Sequence, residues 1–150
     1  MAENKNLIDL VNDFLLYLTV EKRYAENTVN AYERDLYQFE SYLEKFEDES
    51  FLDDVGKIDY LVIRRYLAYL NSRNLTKSTI SRKLSSCRSF YRYLMKKQIV
   101  DSSPLSEVVT PKKEKPLPKF LYYDEMEALL NAPSSDLWGL RDKAVLEVCY

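Results

Sequence analysis

The sequence predicts an all-α protein, and three observations lead to this prediction. Apolar residues recur at steps of three and four along most of the 150 residues, which is the spacing of one buried stripe on a helix. No segment shows the alternation of apolar and polar residues that is typical of a half-buried strand. Residues 1–103 contain one glycine, Gly56, and no proline, so little interrupts helices there. We therefore expect four antiparallel helices in this part of the chain.

Two apolar stripes predict the first two helices. The first stripe consists of Leu7, Leu10, Val11, Phe14, Leu15 and Leu18. The second consists of Val29, Tyr32, Leu36, Phe39, Leu43 and Phe46. Asn27 precedes the second stripe, and we predict it as the N-cap because its amide oxygen can accept a hydrogen bond from a free backbone N–H.

The third predicted helix begins after Asp59, another capping residue type, and carries Ile63, Tyr66, Leu67 and Leu70. The fourth covers residues 77–97, "KSTISRKLSSCRSFYRYLMKK". Its apolar face consists of Ile80, Leu84, Cys87, Phe90, Tyr91, Leu94 and Met95. The opposite face interleaves bases with small hydroxyl residues, namely Ser78, Arg82, Ser85, Ser86, Ser89, Arg92 and Lys96. Because Cys87 and Cys149 lie in apolar periodic segments, we expect reduced cysteines packed in a core, with no disulfide and no metal site.

Proline marks a change in the organisation of the chain after residue 103. All five prolines fall at or after Pro104, and "TPKKEKPLPKF" (110–120) combines three of them with four lysines, as an extended connection does. We predict a first domain over 1–103, a linker over 104–120 and the start of a second domain over 121–150. Two helices are expected in the last part, the second with a stripe of Leu137, Leu140, Ala144 and Val148. That helix reaches Tyr150 without a capping residue, so we expect the second domain to be truncated.

Positive charge is concentrated in one part of the chain. The net charge is −2, yet residues 60–100 hold ten bases and no acid, which leaves 12 bases and 24 acids in the other 109 residues. Such segregation indicates an anionic partner for one face of the protein. The chain has no apolar run long enough for a membrane span and no secretion signal at Met1, so we expect a cytoplasmic location without membrane contact.

The start of the fourth helix points to phosphate. Helix N-termini favour acids, but the first turn here supplies Lys77, Ser78 and Thr79. A DNA phosphate could accept hydrogen bonds from these side chains and from the free backbone N–H groups. The helix is narrow enough for a major groove, where Arg82 or Arg88 could pair with guanine.

We considered two other functions for a chain of this composition. The basic face could pack on acidic helices of its own domain. Alternatively it could bind an acidic protein, and the chain would then be a helical protein-interaction module. A self-contained enzyme is disfavoured, because no nucleophile with a base and no metal-ligand cluster can be assembled from the sequence. We therefore predict no catalytic residue, no metal and no cofactor.

Three segments carry a family resemblance. They are "AENTVNAYERDLYQFESYL" (25–43), "TKSTISRKLSSCRSFYRYL" (76–94), and "LPKFLYYDEMEALLNAP" followed by "LRDKAVLEVCY". In this order they resemble the N-terminal half of bacterial tyrosine recombinases of the Xer and phage-integrase type. The resemblance implies a four-helix core-binding domain of SAM-like fold whose second and fourth helices contact double-stranded DNA. The implied contacts are Thr28, Asn30 and Arg34 on the second helix and Lys77, Ser78, Thr79, Arg82, Lys83 and Arg88 on the fourth.

The resemblance also implies a chemistry that this chain does not carry alone. In the family a tyrosine attacks a phosphodiester while arginines, a lysine and a histidine assist, whereas this sequence contains no histidine. We expect the catalytic positions to lie outside the chain, so that it binds DNA without cutting it. The full-length parent is expected to recombine or integrate DNA as a tetramer on paired sites, with chromosome-dimer resolution implied by the Xer type. The present chain is expected to be monomeric without DNA.

Overall fold

A computed structural model describes residues 5–109 and 120–149 of the protein. These residues belong to two compact units, Met1–Lys113 and Glu114–Tyr150. Within the described ranges every regular element is a helix and there is no strand, so the predicted all-α class is confirmed. None of the described helices combines the length and apolarity that crossing a bilayer demands.

Within residues 5–109 the first unit contains four long helices and two short ones. The long helices match the four predicted apolar stripes, and the short ones lie between the second and third. In chain order the elements are α1 (Leu7–Val20), α2 (Glu26–Phe46), α3 (Ser50–Asp53), a 3-10 helix (Val55–Lys57), α4 (Tyr60–Ser72) and α5 (Lys77–Lys96).

Capping residues explain where the long helices begin. The Asp59 carboxylate accepts a hydrogen bond from the Val62 N–H at 2.9 Å, which confirms the predicted cap of α4. The predicted cap of α2 is wrong. With Asn27 as the N-cap the helix would begin at Thr28, but it begins at Glu26 and its N-cap is Ala25. The Ala25 carbonyl accepts the first bond, from Thr28 N at 2.8 Å. Glu26 then follows in the first turn, where a negative charge is favourable.

The core of the first unit is built from the predicted stripes. Phe14 of α1 is 1% exposed, and its ring centroid lies 5.8 Å from Tyr32, 5.7 Å from Phe90 and 5.3 Å from Tyr93. Helices α1, α2 and α5 therefore meet around one aromatic residue, and such ring pairs add to the stabilisation from burial. Met95, which the periodicity places on the apolar face of α5, is 41% exposed.

The chain continues to pack on this core after α5 has ended. Leu105 and Val108 are 1% and 7% exposed and belong to the same core. The first unit therefore includes residues that we predicted as the beginning of the linker. Residues 110–119, which form most of the predicted linker, lie outside the described residues, and their role as a linker stays a prediction.

The second unit consists of α6 (Tyr123–Asn131) and α7 (Leu137–Cys149). Gly139 is the only buried residue within 120–149. A Cβ at this position would lie 1.9 Å from the Ser134 carbonyl oxygen, so the close approach of this backbone requires glycine. The stripe predicted for α7 is exposed in this unit, with Leu137 at 79% and Val148 at 87%. Cys149 is also exposed, whereas Cys87 is buried as expected.

Candidate nucleic-acid interface

The exposed side of α5 has most of the predicted pattern of bases and hydroxyls. Ser78, Arg82, Ser85, Arg92 and Lys96 are exposed, and Ser89 is half-buried. Ser86, which we predicted on the same face, is buried. The apolar side of the helix fills the core, so the spacing of the sequence leaves the other six residues at the surface. We call this row of six the α5 stripe.

The first turn of α5 presents the predicted polar groups to solvent. Lys77 and Ser78 are exposed and Thr79 is half-buried. Thr76 is the N-cap, and its hydroxyl oxygen accepts a hydrogen bond from the Thr79 N–H at 3.2 Å. There is no acid in this turn, so the positive end of the helix dipole has no protein carboxylate beside it in the first turn.

Helix α2 places its three predicted residues at the surface. Thr28, Asn30 and Arg34 are all exposed. Arg34 lines a surface cavity of about 520 Å³ together with Lys45 of α2 and Lys83 of α5. Of these three bases, Arg34 and Lys45 are exposed and Lys83 is buried.

A buried carboxylate joins the two helices beneath this surface. Asp35 of α2 is 0% exposed. It accepts hydrogen bonds from Lys83 Nζ at 3.0 Å and from Ser86 Oγ at 2.8 Å, and it forms an ion pair with Arg82. An unpaired carboxylate would be costly at this depth, because charged groups lose their hydration on burial. Three residues from one face of α5 supply the required partners.

This network changes the predicted role of Lys83. The residue is 6% exposed and its ammonium group is bound to Asp35, so it neutralises an internal charge instead of reaching out from the surface. We therefore remove Lys83 from the candidate DNA contacts. Its angular position on α5 explains the difference: it lies near the apolar face, next to buried Leu84 and Cys87.

Arg82 remains a candidate contact. Its side chain is 47% exposed, so part of the guanidinium faces solvent while the rest is paired with Asp35. Two cations share one carboxylate, and the cluster keeps one net positive charge whose exposed part belongs to Arg82. The five donors of a guanidinium allow it to bind an internal carboxylate and an external anion together.

Arg88 is placed less favourably for reading a base. It is half-buried, and its Nη2 donates a hydrogen bond to the Val108 carbonyl oxygen at 2.5 Å. This contact ties α5 to the segment that leaves the first unit. The geometry therefore gives Arg88 a structural contact inside the protein and does not support the predicted pairing with guanine.

Sequence reasoning did not identify Asp35, although a signal was present. Asp35 comes three residues after Tyr32 and four before Phe39, so it lies on the apolar stripe of α2 and not on its polar face. An acid in such a position requires a buried partner. The bases of α5 were the available candidates for this buried partner.

The interface has no features of a metal centre. Within 5–109 and 120–149, no three Cys, Asp or Glu residues cluster as metal ligands would. Burial raises the pKa of the Cys87 thiol to about 12, so this sulfur is a protonated, inert core group.

Comparison with known proteins identifies the family. The model of the family described as "Phage integrase, N-terminal SAM-like domain" matches residues 11–98, which include α2, α4 and α5 in full. The chain belongs to this family. The resemblance and the SAM-like fold predicted from the sequence are thereby confirmed.

Three relatives of this chain share the name of a recombinase. The chain is 41% identical over 145 residues to "Tyrosine recombinase XerC" of Pelotomaculum thermopropionicum, an alignment that covers 93% of this chain and 46% of the relative. It is 43% identical over 138 residues to the protein of the same name from Natranaerobius thermophilus, covering 92% and 45%. For the protein from Staphylococcus saprophyticus the identity is 41%, with coverage of 91% and 45%. The chain thus spans slightly less than half the length of these relatives.

Proposed function

We propose that the chain is the DNA-binding part of a site-specific tyrosine recombinase. Its DNA-binding surface consists of residues of α2 and α5, all exposed except the half-buried Thr79. We call it the α2–α5 surface, and its residues are Thr28, Asn30, Arg34, Lys77, Ser78, Thr79 and Arg82. The observation that carries the proposal is the α5 stripe, where bases alternate with small hydroxyls and no acid is present. The names of the relatives support DNA recombination as the process.

The physical fit to duplex DNA rests on three properties of this surface. Serines between the bases keep the side chains short, so a DNA backbone can approach closely. The 20-residue helix α5 is about 30 Å long and narrow enough for the major groove. Its N-terminal N–H groups, together with Lys77 and Ser78, form a site suited to a phosphate.

The salt dependence of DNA binding tests the proposal. If about four to six phosphates are contacted, the logarithm of the association constant should fall with the logarithm of salt concentration at a slope of roughly −4 to −5. Arg34→Gln and Lys77→Gln should each reduce the magnitude of this slope by about 0.9. Lys57→Gln, which changes an exposed base of the 3-10 helix, serves as the control and should leave the slope unchanged.

Two outcomes would contradict DNA binding. One is a complex whose affinity does not depend on salt, because phosphate contacts must release counterions. The other is efficient competition by polyglutamate at equal charge, which would favour an acidic protein as the partner of the basic face.

We further propose that this chain binds DNA without cleaving it. The sequence has no histidine, and the chain spans under half the length of the recombinases that it resembles. A nicked suicide substrate tests this point, since a covalent protein–DNA adduct would refute it. For the full-length parent, the proposal includes a tetramer on paired sites and the resolution of chromosome dimers. For this chain, it includes a monomeric state without DNA and a cytoplasmic location. Sedimentation with and without DNA tests the predicted monomer.

A further inference from the structure

A second basic feature lies at the C-terminal half of α5. It is a surface cleft of about 440 Å³ between α1, the turn after α1, α2 and α5. The residues of its wall that matter here are Tyr17, Lys22, Tyr24, Arg92, Tyr93 and Lys96. None of these belongs to the α2–α5 surface.

The turn after α1 brings two of these residues to the cleft. Arg23 has a positive φ of 51°, a left-handed conformation that reverses the chain direction at the helix end. Lys22 N donates to the Tyr17 carbonyl oxygen and Tyr24 N to the Leu18 carbonyl oxygen, each at 3.1 Å. This turn therefore holds Lys22 and Tyr24 in place beside the last turns of α5, where Arg92 and Lys96 line the same cleft.

The cleft is lined by three bases and no acid, although Asp13 and Glu21 act electrostatically on Tyr93 of its wall. Lys96 Nζ and Lys22 Nζ lie 5.3 Å and 5.9 Å from the centroid of the Tyr17 ring, so both ammonium groups are held by cation–π attraction. In the described part of the chain neither lysine nor Arg92 forms a salt bridge. An entering anion would therefore gain attraction to three cations without displacing a salt-bridged carboxylate.

The cleft is continuous with the α5 stripe. Arg82, Ser85, Ser89, Arg92 and Lys96 follow one another at steps of three and four on α5, and the last three line the cleft. At 1.5 Å per residue, Arg82 and Lys96 are about 21 Å apart along the helix. This distance equals the axial length of about six base pairs of DNA at 3.4 Å each. A duplex lying along the stripe would thus reach the cleft.

We propose that this cleft binds the phosphodiester backbone of duplex DNA, through Lys22, Arg92 and Lys96, as an extension of the α2–α5 surface. The inference rests on the proposed function and adds contacts to it. Duplex DNA is favoured over an acidic peptide because the row of bases and serines leads into the cleft along one straight helix. The tyrosine rings give the cleft apolar walls against which a deoxyribose can pack, and the Tyr24 side chain, in a residue that is 43% exposed, borders the opening.

The test is Arg92→Gln/Lys96→Gln, with Lys57→Gln/Arg64→Gln as a control of equal charge change. Binding to a duplex is measured by fluorescence anisotropy over a series of salt concentrations. The cleft variant should lower the magnitude of the salt slope by about 1.8, with an affinity loss of about 10- to 100-fold at 0.1 M salt. Lys22→Gln should lower it by about 0.9. The control bases do not line the cleft, so their variant should keep the slope of the unmodified chain.

The outcomes separate this inference from the proposed function. If the unmodified chain does not bind duplex DNA, the proposed function fails and the inference with it. If the chain binds but the cleft variant keeps the slope of the control, the inference alone fails. The inference alone also fails if the cleft variant loses polyglutamate binding and keeps duplex binding, because the occupant is then an acidic peptide. Equal melting temperatures for the two double variants confirm that charge, and not folding, causes the difference.

Discussion

At the scale of single residues, Asp35 decides how the bases of α5 are used. It is the one acid among the described residues that is buried. It pairs with the buried Lys83 and also with Arg82, whose side chain stays 47% exposed. One carboxylate therefore divides neighbouring bases into an internal partner and an external contact.

The first prediction concerns this carboxylate. Asp35→Asn should lower the free energy of unfolding by about 3 kcal/mol, because the buried Lys83 ammonium loses its counter-charge. Urea unfolding followed by circular dichroism measures the change. Adding Lys83→Met should recover most of the loss, since the double variant buries neither charge. A double variant as unstable as Asp35→Asn would show that the ion pair is not the cause.

The second prediction concerns a hydroxyl in the core. Tyr66 Oη is buried and finds no hydrogen-bond partner among the described residues. Burial also raises the pKa of this phenol, so the group stays neutral. Tyr66→Phe should raise the free energy of unfolding by about 1 kcal/mol, because it removes an unsatisfied polar group without loss of ring packing. A decrease in thermal stability would mean that the hydroxyl has a partner after all.

Sequence reasoning performs unevenly at this scale, for a physical reason. Exposure of Thr28, Asn30 and Arg34 follows from their places on the polar side of α2. The burial of Lys83 does not follow from the spacing of α5 alone, because it depends on an acid 48 residues away. Which residues of two helices pair depends on the angle and position at which the helices cross. The sequence of one helix does not predict that geometry.

At the scale of helices, a second ion pair fixes the end of α2 against α4. Arg65 donates from Nε and Nη2 to the two carboxylate oxygens of Glu47, at 2.8 Å and 2.6 Å. Tyr42 Oη donates to the same carboxylate at 2.7 Å. The Arg65 guanidinium, and then the Tyr42 hydroxyl, hold the pKa of Glu47 below its ordinary value of 4.5 despite an opposing effect of burial.

The third prediction is the pH dependence that follows from this lowered pKa. A carboxyl whose pKa is lower in the folded protein stabilises the fold above its unfolded pKa, and this stabilisation disappears as the pH falls through the folded pKa. The difference in free energy of unfolding between the unmodified chain and Glu47→Gln should therefore be largest at neutral pH. It should shrink as the pH drops below 4.5. Urea titrations over this range measure it, and a constant difference would contradict the assignment.

Helix positions were the most predictable feature of this chain. Four stripes at steps of three and four correspond to α1, α2, α4 and α5, because each of these helices buries one face. The start of α2 was misplaced, since the backbone carbonyl of Ala25 accepts the first hydrogen bond and the Asn27 side chain does not cap the helix. Helix α3 was not predicted at all, as four residues are too few to produce a periodic pattern.

At the scale of the whole molecule, the division of charge along the chain is partly undone by folding. Glu47 and Asp35, which lie outside residues 60–100, form salt bridges with Arg65, Arg82 and Lys83. The basic region is therefore less positive in the folded protein than a count of residues suggests. What remains outward on α5 is the stripe, and the proposed interface depends on it.

The fourth prediction concerns the extent of the first unit. A chain of residues 1–113 should melt at the same temperature as the full chain, because every residue of the described core lies between Leu7 and Val108. A chain of residues 1–103 lacks the buried Leu105 and Val108, and it should be less stable by about 4 kcal/mol. Differential scanning calorimetry of the two shortened chains measures both effects. Equal stability would favour the boundary predicted from the prolines.

The bond network around Asp35 also has an evolutionary meaning. A mutation that removes the carboxylate leaves the buried lysine without its counter-charge, and one that removes the lysine takes a partner from the buried carboxylate, so we expect either change alone to destabilise the fold. Across homologous chains we expect the residues at positions 35 and 83 to change together, either as an acid with a base or as two uncharged residues.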